Sequence, residues 1–310
     1  MLALVSVMTS SEKQLLKGVS RSFYLSLRVL PMPMRGAASL GYLLARASDT
    51  LADVGAIPAA ARLANLDAFR AAITQGAAPP RWSATLFNSI SNPKERILLE
   101  STEDLFAWLQ RLPENEARLV REVVSIIIGG QMLDIERFGD AHEDHPICLR
   151  DDAELDDYTW RVAGCVGVFW TKLGFLTLGD RFSKQAPEGL IAQATEYGKG
   201  LQLVNILRDM AADLTAGRCY LPVTNPQDSA QLMVERERWL KRANECISKG
   251  FSYAEALSSR RLRAASVLPA MLARETLRLI STAGSEAMQQ RIKVSRSYVY
   301  LAMARAFTYP

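Results

Sequence analysis

Leu40-Gly-Tyr-Leu-Leu-Ala-Arg-Ala-Ser-Asp-Thr-Leu-Ala-Asp53 is the stretch that decides the fold class. Its apolar residues recur at three- and four-residue spacing, which predicts a helix, and its aspartates Asp49 and Asp53 stand four positions apart. The stretch 200–213, Gly-Leu-Gln-Leu-Val-Asn-Ile-Leu-Arg-Asp-Met-Ala-Ala-Asp, repeats this design with Asp209 and Asp213. The same helical spacing extends along almost the whole chain. We therefore predict an all-α protein.

The spacing of apolar residues, together with helix-breaking and helix-capping residues, predicts where each helix begins and ends. The predicted helices cover about 11–29, 36–53, 58–76, 93–111, 114–138, 152–179, 187–214, 229–249, 252–281 and 284–307. Pro31 and Pro33 end the first, and Ser252 with Glu255 forms a capping box that opens a late one. No run of alternating residues predicts a strand. Because no linker-like composition divides the 310 residues, we expect one domain, 1–310.

Each aspartate pair predicts a cation site. On a helix, positions i and i+4 share one face about 6 Å apart, so each pair presents two carboxylates to one point. Mg²⁺ suits such a site because it keeps several waters and takes further ligands from phosphates. An isolated pair is more often part of a solvated helix face. Here both pairs interrupt apolar stretches, where carboxylates without a partner are costly.

Composition excludes several other classes of function. The net charge of +4 is spread along the chain without a basic stripe, so we expect no nucleic-acid partner. The four cysteines lack CxxC spacing, which argues against a zinc site or a redox motif. His142 and His145, the only histidines, lie in a loop-like stretch and are expected to be structural or solvated. Unbroken apolar runs fall short of the roughly 20 residues of a membrane span.

Four further segments follow one another along the chain: Ser20-Arg-Ser-Phe23, Tyr42 to Asp53, Tyr158-Thr-Trp-Arg-Val-Ala-Gly-Cys-Val-Gly167, and Gln202 to Asp209 continuing to Gly217-Arg-Cys-Tyr-Leu-Pro222. In this order they resemble motifs of the squalene/phytoene synthases, which couple prenyl diphosphates head to head. A weaker match is Gly130-Gln-Met-Leu-Asp134. The resemblance, closest to the squalene synthases, implies a single-domain helical bundle of the isoprenoid-synthase type with a central active-site cavity.

The resemblance also implies roles for individual residues. It assigns catalysis to Asp49, Asp53, Tyr158, Asp209 and Asp213. It assigns Mg²⁺ to the same four aspartates and Asn205. It assigns substrate binding to Ser20, Arg21, Ser22, Phe23, Tyr42, Arg46, Val162, Gly164, Gln202, Asn205 and Arg218. It assigns NADPH to Arg46, Asn205, Arg208 and Lys293. From the residues alone, Tyr158 would be a core aromatic, and Gln202 and Asn205 would be nearly as well explained as buried amides.

The implied reaction is Mg²⁺-dependent coupling of two farnesyl diphosphates through presqualene diphosphate to squalene, with NADPH as reductant. The alternative is an enzyme that stops at presqualene diphosphate, or makes dehydrosqualene or phytoene without NADPH. Departures from the squalene-synthase pattern at Ala265 and Ser295 keep this alternative open, because they replace an expected aromatic and a cofactor-binding arginine. Ala52 and Ala212 replace expected glutamates and leave open a third hypothesis, a non-catalytic assembly protein.

The resemblance further implies a prenyl diphosphate as the binding partner. We expect a cytoplasmic protein, with peripheral contact at the inner membrane face for an apolar product. The sequence leaves open the oligomeric state, the prenyl chain length and any partner enzyme.

Overall fold

A computed structural model of the chain describes residues 8–19, 23–284 and 292–310, and it is built almost entirely of helices. The first helices are α1 Ser10–Val19, α2 Phe23–Val29, α3 Met32–Asp53, α4 Ala59–Gln75, α5 Ala84–Ser89, α6 Pro93–Glu100, α7 Thr102–Arg111 and α8 Glu114–Phe138. The later ones are α9 Asp152–Thr159, α10 Cys165–Leu178, α11 Pro187–Thr215, α12 Ser229–Glu255, α13 Arg260–Ala283 and α14 Arg296–Thr308. The predicted all-α class is confirmed.

Shorter elements lie between these helices. A π-helical turn, Trp160–Gly164, continues α9 into α10, and a 3-10 turn, Gly179–Arg181, follows α10. Two strands of two residues, β1 Ile147–Cys148 and β2 Arg218–Cys219, pair in parallel. The sequence did not predict these strands, because a two-residue strand is too short to show alternation.

Several predicted boundaries were wrong. The segment 93–111 forms two helices, α6 and α7, that meet at Ser101. Ser252 and Glu255 do not open a helix; they lie in the last turn of α12, and Ser259 caps the next helix by accepting a hydrogen bond from the Leu262 amide. Only the serine that follows the end of α12 acts as a cap, and it does so without the glutamate of a capping box. Residues 20–22 and 285–291, within two other predicted helices, lie outside the described residues.

The chain divides into two compact units. The first comprises the described residues up to Glu136 together with Lys172–Phe182. Its core includes Phe69, which contacts Trp82 and Phe106 with ring centroids 6.0 and 5.7 Å apart. Helix α3, which carries the first aspartate pair, begins after Pro31 and has a proline in its first turn, where the fixed backbone angle of proline suits a helix start.

The second unit comprises Arg137–Thr171 together with the described residues from Ser183 onward. Helix α11, which carries the second aspartate pair, packs against α12 and the π-helical turn through two glycines. A Cβ atom at Gly198 would lie 2.4 Å from the Ala163 carbonyl oxygen, and one at Gly200 would lie 2.6 Å from Cβ of Cys246. These glycines therefore permit the close helix contacts. The predicted single domain stays a prediction.

One helical stretch has the length and composition of a membrane span. Among the described residues, Asp152–Arg181 contains a window of mean hydropathy 1.5, and 39% of that window is buried within the protein. The sequence expectation had counted only unbroken apolar runs and missed this stretch. A core helix of a soluble protein can meet the same criteria, so membrane contact stays a prediction.

Candidate functional site

The first aspartate pair lies at the C-terminal end of α3, as the sequence predicted. Asp49 is half-buried, Asp53 is exposed and is the last helical residue, and Val54 caps the helix. The Arg62 guanidinium donates to the Ala52 carbonyl oxygen at 2.8 Å and so stabilises one of the last carbonyls of the helix. The pair is therefore held on an ordered helix end.

Asp49 contacts side chains from other helices of the first unit. Nη1 of Arg46 lies 3.6 Å from its Oδ2, and the Gln131 amide donates to its Oδ1. Arg46 also donates to Glu95, which accepts a second hydrogen bond from Nδ2 of Asn92 at 2.9 Å. Arg46 is therefore shared between two carboxylates.

The environment of Asp49 disfavours its charged form. Burial of the carboxyl, together with the charge of Asp53, raises the pKa of Asp49 to about 7, although Arg46 and Gln131 oppose the rise. The Asp49 side chain keeps 44% of its surface exposed, so solvent moderates this shift. Two carboxylates that repel each other and are open to solvent form a donor set that a divalent cation would stabilise.

Gln131 is a residue that the sequence analysis quoted only within a weak motif. Its side chain is 8% exposed, its Nε2 donates to Asp49, and its Oε1 accepts no hydrogen bond from the described residues. A buried amide oxygen without a donor is costly. An amide oxygen can also coordinate a hard cation or accept a hydrogen bond from a water bound to that cation. Gln131 therefore fits a Mg²⁺ site at Asp49.

The remaining predicted residues of the first unit are not all described. Residues 20–22 lie outside the described residues, so the predicted roles of Ser20, Arg21 and Ser22 stay predictions. The same holds for Phe23, whose side chain is not described. Tyr42 is half-buried, and its hydroxyl donates to the Val19 carbonyl oxygen at 3.4 Å.

The second aspartate pair lies at the C-terminal end of α11, where each carboxylate has its own arginine. Arg208 donates to Asp209 through Nε at 3.1 Å and through Nη2. Arg218, from β2, donates to Asp213 at 3.1 Å. Arg208 and Arg218 thus provide two cations beside the pair, where a diphosphate would find donors.

A tight turn places Arg218 next to the helix end. Gly217 has a φ of +76°, and a Cβ atom there would lie 2.3 Å from the His142 carbonyl oxygen. The Ile147 amide donates to the Gly217 carbonyl at 2.8 Å, and the Leu149 amide donates to the Cys219 carbonyl at 3.0 Å. The turn requires glycine both for its backbone conformation and for this close contact.

Tyr158 lies in a small aromatic group of the second unit. Its ring stacks on Tyr220 with centroids 5.1 Å apart and an interplanar angle of 24°, and Tyr220 contacts Phe138 at 5.0 Å. Tyr158 and Tyr220 are 9% and 8% exposed. The group therefore presents π-systems in an environment that excludes most water, a setting that favours attraction between a cation and an aromatic face.

The other predicted residues of this unit lie on α11 and the π-helical turn. Gly164 is buried, and a Cβ atom there would lie 3.2 Å from Cγ of Lys199; Val162 packs against the hydrophobic core. Nδ2 of Asn205 donates to Oε1 of Gln202 at 3.3 Å, so the two amides pair along the helix. Irregular π-helical turns occur frequently at functional sites.

The donor chemistry fits Mg²⁺ at each aspartate pair. Within the described residues no cluster of three or more His, Cys, Asp or Glu side chains is present. Mg²⁺ commonly uses one or two carboxylates together with substrate phosphates. The predicted metal roles of Asp49, Asp53, Asn205, Asp209 and Asp213 stay predictions.

Two of the residues predicted to bind NADPH make hydrogen bonds to their neighbours on α11. Arg208 is engaged with Asp209, and Asn205 with Gln202. Lys293 is exposed and has no ion-pair partner among residues 8–19, 23–284 and 292–310. No step below depends on NADPH, and its use stays a prediction.

Sequence reasoning missed Gln131, Glu95 and Tyr220 as members of these sites. Gln131 lies 82 positions from Asp49, and Glu95 lies 49 positions from Arg46. The periodicity of a sequence does not predict contacts over such separations. Tyr220 could have been found, because it lies within the quoted segment 217–222.

A scan against family models gives a match to squalene/phytoene synthase over residues 16–298. Among curated proteins, the presqualene diphosphate synthase of Rhodopseudomonas palustris is 32% identical over 204 residues, which are 65% of this chain and 58% of that protein. The presqualene diphosphate synthase of Zymomonas mobilis is 31% identical over 221 residues, 71% and 62% of the two chains. The chain thus spans about three fifths of the length of these relatives.

Solved structures share the fold. The complex of TcSQS with the ligand BPH1237 has a TM-score of 0.78 at 21% identity, covering 96% of this chain and 85% of that chain. A dehydrosqualene synthase in complex with a ligand has a TM-score of 0.65 at 21% identity, covering 97% and 95%. At these identities the likeness is one of fold.

Proposed function

Because the chain belongs to the squalene/phytoene synthase family, we propose that it condenses two molecules of farnesyl diphosphate head to head into presqualene diphosphate. The observation that carries this proposal is the pair of Asp-x-x-x-Asp helix ends, each with arginine beside it. The names of the Rhodopseudomonas and Zymomonas relatives support presqualene diphosphate as the product.

The aspartate pairs and arginines would act on the leaving group. Condensation ionises an allylic diphosphate, so one inorganic diphosphate and a proton leave, while the product keeps the second diphosphate. Asp49 with Asp53, and Asp209 with Asp213, would hold Mg²⁺, which neutralises the negative charge that develops on a leaving diphosphate. Arg208 and Arg218 would donate to the phosphate oxygens.

The aromatic group at Tyr158 would act on the positive charge. Loss of diphosphate leaves an allylic cation, and aromatic faces stabilise cations best where water is excluded. The stacked rings of Tyr158 and Tyr220 provide such faces. Their burial also keeps water from capturing the cation, which would otherwise give an alcohol.

The test is product analysis of the purified protein with farnesyl diphosphate and Mg²⁺, with and without NADPH, by mass spectrometry. Presqualene diphosphate as the product under both conditions is the expected result. Squalene that forms only with NADPH would instead assign the full two-step reaction, and dehydrosqualene or phytoene would assign a different second step. No product at all would favour the non-catalytic assembly hypothesis.

A further inference from the structure

Two cysteines that are 71 positions apart in the sequence are direct neighbours in the second unit. The register of the two short strands pairs Cys148 with Cys219. Register partners on adjacent parallel strands lie about 4.8 Å apart and point to the same face. Disulfides need Cα separations of about 4.4–6.8 Å, and the spacing of paired strands lies within that range.

The two thiols differ in exposure, and they contact each other. Both are free, Cys148 is half-buried, and Cys219 is 2% exposed. Interaction with the neighbouring Cys219 thiol lowers the pKa of Cys148, and the Cys219 thiol donates to the Leu221 carbonyl oxygen at 3.4 Å. Cys148 is therefore the accessible and more acidic thiol, and Cys219 is the sulfur beside it.

The other two cysteines provide a contrast. Cys165 and Cys246 are 3% and 1% exposed. Burial raises the pKa of both thiols to about 12. Within the described residues neither thiol donates to another cysteine: Cys165 donates to the Arg161 carbonyl oxygen and Cys246 to the Glu196 carboxylate. Thiolate character and access control cysteine reactivity, so Cys165 and Cys246 should not start a thiol exchange. Interaction with Cys148 and burial raise the pKa of Cys219 as well, so Cys148 is the thiol that attacks first and Cys219 reacts only because it lies beside it.

We propose that Cys148 and Cys219 form a reversible disulfide, which makes this pair a redox-sensitive modification site. The oxidant is a small disulfide such as oxidised glutathione. The Cys148 thiolate attacks one of its sulfurs, forms a mixed disulfide and releases one glutathione thiolate. The Cys219 sulfur, after losing its proton, attacks the Cys148 sulfur and releases the second glutathione. Two thiols are oxidised and one glutathione disulfide is reduced to two thiols.

The cross-link would join β1 to the segment that carries the site residues of the second unit. Cys219 lies between Arg218, which pairs with Asp213, and Tyr220, which stacks on Tyr158. Closing a loop of this length removes conformational freedom from the unfolded chain. The oxidised protein should therefore unfold at a higher temperature than the reduced protein. This inference does not depend on the proposed activity.

The experiment incubates the full chain with oxidised glutathione, blocks the remaining thiols with iodoacetamide, and maps peptides by mass spectrometry without reduction. We expect a cross-linked peptide pair containing Cys148 and Cys219, alkylated Cys165 and Cys246, and a higher melting temperature that dithiothreitol reverses. Cys148→Ser should abolish the cross-link, and the matched variant Cys246→Ser should keep it.

Two results would overturn the proposal. One is glutathione retained on Cys148 while Cys219 stays alkylatable, which would show that the two sulfurs cannot meet. The other is equal oxidation of all four cysteines, which would show unfolding instead of a specific pair. Because the peptide map is made on the unaltered protein, the result does not depend on whether either variant folds.

Discussion

The two aspartate pairs share a sequence pattern and a place at a helix end, but they differ in their electrostatic surroundings. On α3, Arg46 is shared between Asp49 and Glu95, and the charge of Asp53 contributes to the raised pKa of Asp49. On α11, Asp209 and Asp213 each have their own arginine.

This difference suggests that the two aspartate pairs bind the cation at different stages. A carboxylate that is repelled by its neighbour attracts a divalent cation strongly, whereas one already paired with a guanidinium gains less from it. We therefore expect the first pair to bind the cation before substrate arrives. We expect the second pair to bind the cation mainly when a diphosphate is bound to Arg208 and Arg218.

The largest effect should come from removing one carboxylate of either pair. Asp49→Asn and Asp209→Asn should each lower kcat/KM by about 10³-fold, since both act where charge develops in the transition state. Steady-state release of diphosphate measures this. Asp67→Asn, on the exposed face of α4, is the matched control and should retain activity. Full activity in both site variants would remove the basis of the proposed function.

The turns that follow the two pairs should differ in their tolerance of a side chain. Gly217→Ala should lower the free energy of unfolding by about 3 kcal/mol, because it combines a positive φ with a clash against the His142 carbonyl. Gly55→Ala, after the first pair, should cost less than about 0.5 kcal/mol because no atom of the described residues lies within 4 Å of its Cβ position. Denaturant titration measures both. Equal losses would show that the turn after α11 is not specially constrained.

Gln131→Met should weaken divalent cation binding at the first pair by roughly 10- to 100-fold, the usual loss when a residue that orients a metal ligand is removed. Calorimetric titration with Mn²⁺ measures the affinity. Gln193→Met is the matched control, because Gln193 also has a buried amide oxygen that has no hydrogen-bond partner in the described part of the chain. Gln193 lies on α11 about 24 Å along the helix from Asp209. An unchanged affinity in Gln131→Met would restrict the glutamine to a packing role.

Local pattern predicted much of the fold and part of the site. The spacing of apolar residues identified α3 and α11 and placed both aspartate pairs near the ends of these helices. This was possible because apolar spacing and helix-ending residues are features of the local sequence. The helix start predicted from the capping box at Ser252 was wrong, because tertiary packing extends α12 past this serine. Contacts between distant segments, such as Gln131 with Asp49, depend on tertiary packing and left no local signal.

The most direct test of the difference between the pairs is a Mn²⁺ titration followed by electron paramagnetic resonance, without substrate, on the unaltered protein, Asp49→Asn and Asp209→Asn. We predict that Asp209→Asn keeps the tightest Mn²⁺ site of the unaltered protein and that Asp49→Asn loses at least about tenfold in its affinity. Retention of that site in Asp49→Asn together with its loss in Asp209→Asn would contradict the account.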